Sequence, residues 1–167
     1  MRKTLVLDAT PLIYLTRAGF WKYLPKLGWK LATTRQVVLE LRLDENQFPE
    51  AMHISVLIKG KALDVLPAKA GEEPGLSSAD VSVILLARRL KAVAVVDDEP
   101  ARRFAAANGI ATAHSTALLI DGVRRKAFSG EKALELLDAM VDAGWYCDVE
   151  TYKNIAQAIR KAAQATD

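Results

Sequence analysis

The stretch Val93–Pro100, VAVVDDEP, places four apolar residues directly before three carboxylates and a proline. The apolar run is typical of a buried strand, and the proline can open a helix behind it. Three acids at the point where a buried strand ends repel one another, so their pKa values rise unless a cation binds them. The stretch therefore predicts a buried strand with an acidic site at its carboxyl end.

Short strand-like runs alternate with helix-like segments along the rest of the chain. The alternation predicts a three-layer α/β/α domain with a central parallel sheet, followed by C-terminal helices. Residues 67–75 carry the glycines and prolines of a loop. The predicted strands cover residues 4–8, 30–33, 62–66, 92–96 and 110–113, and the clearest predicted helices cover 78–90, 100–108, about 130–143 and 150–164.

The composition narrows the class of protein. The chain has 167 residues, of which 51% are hydrophobic, and such a chain can bury one substantial core. No apolar run reaches the roughly 18 residues that span a bilayer, so we expect no membrane segment and a cytoplasmic location. Cys147 is the single cysteine, which excludes an internal disulfide and a multi-cysteine metal site.

The formal net charge of +3 permits an anionic partner but does not require one. Basic residues cluster at three places, and each cluster is also consistent with a solvated face. Next to acids, such clusters suit a polyanion that is bound through metal. The clusters are Arg102 and Arg103, then Arg124, Arg125 and Lys126, and more loosely Lys22, Lys26 and Lys30.

A parallel sheet binds ligands beyond the carboxyl ends of its strands, and acids from separate elements can converge there. Asp8 closes the first predicted strand, where it is either a helix cap or a ligand. Glu40 lies at the edge of an apolar helical stripe, where it is either a surface residue or a ligand. Asp80 shares the buried face of helix 78–90, although a capping box with Ser77 also explains it.

The fourth acidic position is the pair Asp97 and Asp98. Neighbouring residues at a strand end point in different directions, so one carboxylate can bind metal while the other caps the helix. We expect Asp98 to be the closer ligand. The candidate ligands are all hard oxygen donors without a histidine or a cysteine among them, which favours Mg²⁺ or Mn²⁺. Such ions activate water for attack on a phosphodiester.

The order and spacing of five motifs resemble those of PIN domains, the metal-dependent ribonuclease fold of VapC-type toxins. The motifs are VLDATPLI (6–13), VVLEL (37–41), LSSADVSVILLA (76–87), VVDDEPARRFA (95–105) and GIATAHSTALL (109–119). The segments DDEPARRFAAANGI (97–110) and LLDAMVDAGWYCDVETY (136–152) resemble a PIN-like subgroup with a C-terminal helical extension. The resemblance implies a single PIN-like domain over 1–167, with a core of about 1–125 and an extension of about 126–167.

The resemblance also implies roles for individual residues. It implies that Asp8, Glu40, Asp80 and Asp98 are catalytic, that Asp8, Asp80, Asp98 and Asp97 bind metal, and that Thr10 and Thr116 lie near the metal. Family members often form homodimers, and toxin members pair with an antitoxin protein. Basic side chains would hold the phosphates of RNA, and we assign this role to Arg102, Arg103, Arg124, Arg125 and Lys126.

The leading hypothesis is therefore a Mg²⁺- or Mn²⁺-dependent endoribonuclease, and its narrower form is the toxin of a toxin-antitoxin pair. The alternative is a catalytically weak PIN-like module that binds a protein partner through its helical tail, where Leu136, Leu137, Met140 and Val141 form an apolar stripe. A phosphoryl-transfer or receiver domain is disfavoured, because Asp8-Ala9-Thr10 lacks the second aspartate of a DxDxT signature and no GxxxxGK loop exists.

Overall fold

A computed structural model describes residues 3–43, 48–69 and 71–166 of the chain. The chain forms two compact units. The first unit comprises Met1–Ile13 and Trp29–His114, and the second comprises Tyr14–Gly28 and Ser115–Asp167. The division falls within helix α1 (Ala9–Arg17). The single domain over 1–167, with its division near residue 125, stays a prediction.

The first unit is built on a five-stranded sheet in which every strand pair is parallel. Its strands are β1 (Thr4–Leu7), β2 (Lys30–Thr34), β3 (Leu63–Leu66), β4 (Val93–Val95) and β5 (Thr112–Ala113), in the order β3-β2-β1-β4-β5. The central strand β1 contains Leu5, Val6 and Leu7, all of which are fully buried. Buried on both faces, such a strand is apolar throughout rather than alternating. The predicted α/β/α class with a parallel sheet is confirmed.

Four helices complete the first unit: α3 (Arg35–Glu40), α4 (Pro49–Lys59), α5 (Ser78–Leu90) and α6 (Glu99–Ala107). Helix α5 has the bounds that the sequence predicts, and it packs on β1, β2 and β4. The sequence predicts an apolar stripe at 83, 84, 87 and 90; Val83, Ile84 and Ala87 are fully inaccessible to solvent, whereas Leu90 is exposed. Helix α6 begins at the acid before Pro100, in agreement with the preference of proline for the first helical turn.

The structure departs from the predicted elements in three respects. Strand β1 ends at Leu7, so Asp8 lies just beyond the strand rather than in it. Strand β5 is only two residues long, because the alanines around it have little preference for extended structure. The sequence periodicity does not predict α4, since its apolar side chains Met52 and Val56 are exposed and only Ala51 and Ile54 are buried.

The second unit is helical. It contains a 3₁₀ turn (Phe20–Tyr23) and helices α2 (Leu24–Leu27), α7 (Ser115–Arg124), α8 (Gly130–Asp142) and α9 (Val149–Gln164). The last three helices pack against one another. The tail stripe that the sequence offers to a protein partner is mostly core here: Leu136, Leu137 and Met140 are buried, and only Val141 is exposed. No helix within the described residues has the length and apolar character to cross a bilayer.

Candidate functional site

Asp8 lies at the carboxyl edge of the sheet and is 6% exposed. Its backbone N–H donates to the carbonyl of Val95 (3.2 Å), which ties the end of β1 to the end of β4. Burial raises the pKa of Asp8 from 3.8 to about 7; the Ala9 backbone N–H opposes this rise, and the Asp80 and Glu40 carboxylates add to it. A buried carboxyl group with a pKa near neutrality is typical of a functional site.

Asp80 is the acidic neighbour with the larger effect on Asp8, because its carboxylate raises the pKa of Asp8 more than that of Glu40 does. Repulsion between the carboxylates thus adds to the main effect of burial in favouring the neutral form of Asp8. Asp80 also forms a capping box: its Oδ2 accepts hydrogen bonds from the backbone N–H and the Oγ of Ser77, both at 2.8 Å. Asp80 therefore caps α5, as one interpretation of the sequence has it, and it is half-buried rather than buried with the apolar face of the helix. Its role as a metal ligand stays a prediction.

Glu40 ends α3, the helix that follows β2. Its pKa is raised, mainly by partial burial of the carboxylate and secondly by the negative charge of Asp80. The structure thus places three acids from separate segments near enough for their charges to repel one another. These acids are Asp8, Asp80 and Glu40. We call these three side chains the acidic cluster.

Three buried hydroxyl residues hold the elements of the acidic cluster together. Thr33 Oγ1 donates to the carbonyl of Leu7 (2.7 Å), immediately before Asp8. Thr34 caps α3 by accepting the Val37 N–H (3.2 Å), and its Oγ1 lies 2.7 Å from Ser82 Oγ in α5. Thr33, Thr34 and Ser82 are not among the residues predicted for the site. The signal is present, since two threonines end a buried strand directly before a helix and neither hydroxyl can be left unpaired.

Asp97 and Asp98 divide the two roles differently from the prediction. Asp98 is exposed and caps α6, because its Oδ2 accepts the Ala101 N–H at 3.1 Å. The Asp97 side chain is 12% exposed, and its Oδ1 lies 3.8 Å from Nδ1 of His114. Asp97 lies two residues after Val95, the strand residue whose carbonyl accepts the Asp8 N–H. Asp97 and Asp8 therefore lie at the same edge of the sheet. The geometry therefore favours Asp97 over Asp98 as the candidate ligand.

The remaining predicted residues of the first unit surround these acids only in part. Thr10 is half-buried in the first turn of α1, two residues after Asp8. Arg102 and Arg103 both form ion pairs with Glu99 on their own helix, and Arg103 Nε lies 3.9 Å from Glu99 Oε1. Their positive charge is therefore partly compensated within α6.

The second unit holds the other predicted residues. Thr116 is buried in the first turn of α7. Arg124 is exposed at the end of α7, whereas Arg125 forms an ion pair with Asp121 (3.1 Å) and also donates to the carbonyl of Leu27 (3.4 Å). Lys126 is exposed just beyond the helix. Of the three consecutive basic residues, Arg125 is thus held by two contacts, whereas Arg124 and Lys126 extend into solvent.

A groove of about 1050 Å³ in the first unit is a different feature from the acidic cluster. Its walls come mainly from α3 and α4 and are mostly apolar, with Leu39, Phe48, Met52 and Val56 exposed to solvent. None of the described residues that line it is an acid. The groove therefore offers a surface for apolar contact, while the charged chemistry of this unit lies at the sheet edge.

Comparison with known families agrees with the fold. The chain matches the family model of DUF3368, described as a PIN domain, over residues 4–161. The chain therefore belongs to the PIN domain family. PIN domains are typically metal-dependent nucleases, so membership gives this chain a nuclease fold.

A solved structure is similar to this chain at low sequence identity. It is a PilT N-terminus domain protein from the hyperthermophilic archaeon Sulfolobus solfataricus, 13% identical to this chain. The match covers 87% of this chain and 99% of that protein, with a TM-score of 0.49. The comparison with curated proteins gives no match.

PIN domains usually bind divalent metals, and the donor chemistry of the acidic cluster fits such an ion. The cluster supplies carboxylate oxygens alone, and the carboxylates disfavour one another's charge, which a divalent cation relieves. Across residues 3–43, 48–69 and 71–166, no three His, Cys, Asp or Glu side chains already have the arrangement of a formed metal site. The cluster therefore fits the ion by its donor type and electrostatics.

Proposed function

We propose that this protein is a Mg²⁺- or Mn²⁺-dependent endoribonuclease. The observation that carries the proposal is the buried Asp8 carboxyl group at the carboxyl edge of a parallel sheet, whose pKa is raised to about 7 by burial and by the neighbouring Asp80 and Glu40 carboxylates. An acid that repels its neighbours is kept buried at a cost in stability, and functional sites are where proteins retain such groups. RNA is the proposed substrate because the sequence resembles VapC-type ribonucleases.

Each acid has a role under this proposal. Asp8, Asp80 and Asp97 would hold the divalent ion, which when bound supplies positive charge that activates water and neutralises a phosphodiester. Glu40, whose pKa is raised, accepts a proton from the attacking water as a general base. Asp98 caps α6 and thereby orients the chain around Asp97. Thr10 is near enough to Asp8 in the chain to position it.

Binding of the substrate would involve the basic side chains that are exposed. Arg124 and Lys126 are exposed and form no ion pair with a described acid, so they are the stronger candidates among the five for contact with RNA phosphates. Arg102, Arg103 and Arg125 already form ion pairs and would contribute less. The proposal further includes a cytoplasmic location, a homodimer and, if the chain is a toxin, an antitoxin partner, all of which follow from the resemblance.

The test is cleavage of labelled single-stranded RNA in the presence of Mn²⁺ by three variants. We expect Asp8→Asn and Asp97→Asn to lower the cleavage rate by about 100-fold or more, since even outer-shell partners of a metal are worth roughly 10- to 100-fold. Asp98→Asn is expected to retain much more activity, because asparagine also caps helices. The measured quantity is the initial rate at saturating Mn²⁺.

Asp64→Asn is the matched control. Asp64 is an exposed acid of β3 in the same unit, so its substitution changes the charge equally without touching the acidic cluster. Cleavage by Asp8→Asn at the rate of the wild type would refute the catalytic assignment. A larger loss for Asp98→Asn than for Asp97→Asn would return the ligand role to Asp98.

A second candidate function is a protein-interaction module with little catalysis. The observation that favours it is the apolar groove between α3 and α4, not the tail stripe, which is buried. Exposed apolar patches of this kind commonly mark interaction surfaces. Calorimetric titration separates the two candidates: absence of Mn²⁺ binding at millimolar concentration, together with absence of cleavage, would favour the module.

A further inference from the structure

The second unit contains a cavity of about 710 Å³ whose walls carry three basic side chains. Lys26 comes from α2, Lys126 follows α7, and Arg160 lies in α9. Because these residues are far apart in sequence, the cluster exists only once the helices have packed. We call this cavity the basic pocket.

Positive charge is in excess among the described residues that line the basic pocket. Lys26, Lys126 and Arg160 are exposed, and none of them forms an ion pair with any acid among the described residues. The neighbouring Arg125, by contrast, is paired with Asp121. Glu131 is the one acid among the lining residues of the described chain, so the walls carry a net charge of +2 (three basic side chains minus one acid). Uncompensated cations in a concave site raise the local concentration of anions.

The start of helix α8 forms part of the same wall. Ser129 caps the helix by accepting the Lys132 N–H (3.1 Å), and Ser129 and Gly130 both line the pocket. A Cβ atom on Gly130 would lie 2.7 Å from the Cβ of Ala163 in α9, so only glycine permits this close approach of the two helices. The positive end of the α8 dipole therefore adds to the field of the three cations.

We propose that the basic pocket binds a phosphate group, carried either by an RNA strand or by a free nucleotide. Its volume is in the usual range of ligand pockets, about 300 to 1000 Å³. The planar guanidinium of Arg160 suits two phosphate oxygens at once, and the two lysines add flexible point charges. The RNA source depends on the proposed nuclease function, whereas the phosphate chemistry does not.

Under this proposal, the three consecutive basic residues 124–126 have different roles. Lys126 belongs to the pocket, Arg125 is held by Asp121 and the Leu27 carbonyl, and Arg124 is exposed outside the pocket. Substitution of Lys126 is therefore expected to weaken phosphate binding more than substitution of Arg125.

The test compares a triple variant with a matched triple control in buffer without divalent ion. Lys26→Gln, Lys126→Gln and Arg160→Gln together remove the pocket cations, while Lys22→Gln, Lys153→Gln and Lys161→Gln remove three exposed cations of the same unit that do not line the pocket. Binding of labelled single-stranded RNA is followed by fluorescence anisotropy, and binding of adenosine monophosphate and inorganic phosphate by calorimetry. We expect the pocket variant to lose roughly tenfold or more in affinity and the control to lose little.

Glu131→Gln provides a test of opposite sign, which misfolding cannot imitate. Removal of the one acidic side chain is expected to raise phosphate affinity severalfold. A loss confined to RNA identifies the strand as the source, and a loss confined to adenosine monophosphate identifies the free nucleotide. Equal losses in the pocket variant and the control, or no binding of any of the three probes by the wild type, would overturn the proposal.

Because the assay contains no divalent ion, its outcome does not depend on cleavage. Asp8→Asn is expected to bind all three probes as the wild type does. An inactive acidic cluster with an intact basic pocket would therefore contradict the proposed function alone. A basic pocket without phosphate affinity in an active nuclease would contradict this inference alone.

Discussion

Asp8 and Asp148 carry the same side chain at the ends of secondary-structure elements, yet their pKa values move in opposite directions. Asp8 follows β1, and burial raises its pKa to about 7. Asp148 precedes α9, where hydrogen bonds from the backbone N–H and the hydroxyl of Thr151 (2.7 and 2.8 Å) lower its pKa. Position in the chain therefore does not decide the role of an aspartate; its surroundings do.

The two aspartates differ in their exposure to water and in the hydrogen-bond donors around their carboxylates. Asp148 remains in solvent and gains two donors, so its charged form is stabilised. Asp8 loses its water and gains one backbone donor, Ala9, together with two carboxyl neighbours. The first arrangement caps a helix and stabilises the fold. The second destabilises the charged state, which is the property that a cation-binding site needs.

The sharpest test of this comparison is the pH dependence of stability in metal-free buffer. The pKa of Asp8 is higher in the folded protein than in the unfolded chain, so the folded protein binds more protons between about pH 4 and 7 and loses stability as the pH rises through that window. We expect Asp8 to contribute a loss of roughly 3 kcal/mol between pH 5 and pH 8. Asp8→Asn removes this contribution, which urea unfolding at both pH values measures.

Asp64→Asn serves as the control, because the Asp64 side chain is exposed to solvent. Part of the slope is expected to remain in Asp8→Asn, since the pKa of Glu40 is also raised. Identical pH slopes for Asp8→Asn and the wild type would show that Asp8 is charged at neutral pH without penalty, and the contrast with Asp148 would fail.

Addition of Mn²⁺ should restore the folding stability that is lost when Asp8 ionises. An ion that binds only the folded state stabilises it by about 2.7 kcal/mol at a hundred times its dissociation constant. We expect the melting temperature of the wild type to rise with Mn²⁺ at pH 8 and to rise less at pH 5, where protons compete for the same carboxylates. An equal rise in Asp8→Asn would place the ion elsewhere in the molecule.

The smallest effect is expected at Asp148. Asp148→Ala removes the cap of α9 and should lower the melting temperature at pH 7, whereas Asp148→Asn should lower it less, because asparagine is also a good cap. The pKa of Asp148 is lower in the folded state, so its stabilisation is present above the unfolded pKa and disappears as the pH falls below the folded one. Differential scanning fluorimetry at pH 7 and pH 3 measures the change. A larger difference at pH 3 than at pH 7 would contradict this assignment.

Much of the fold could be predicted from local patterns. Helix α5 has its predicted bounds because its apolar stripe and its capping box with Ser77 are both encoded within a few residues. Asp8 and Asp80 could be proposed as partners because strand ends and helix starts converge at one sheet edge. Helix α4 could not be predicted in the same way, since Met52 and Val56 are apolar and yet exposed, which removes the periodic signal.

The choice between Asp97 and Asp98 shows where local reasoning stops. Both residues follow the same strand, and either could cap α6. Only the folded chain shows that Asp98 accepts the Ala101 N–H while Asp97 lies against His114. The hydroxyl contacts of Thr33, Thr34 and Ser82 are similar in kind, because their partners are distant in sequence.

The sequence by itself determined the alternation of strands and helices, the oxygen-only donor set and the PIN family, because these depend on residue types and spacings along the chain. The tertiary structure decided which acids share a field, which of two neighbouring aspartates is a cap, and which lysines join Arg160 in one pocket. The physical reason is that pKa values and local fields depend on burial and on through-space distance. Both quantities arise only when distant segments pack together.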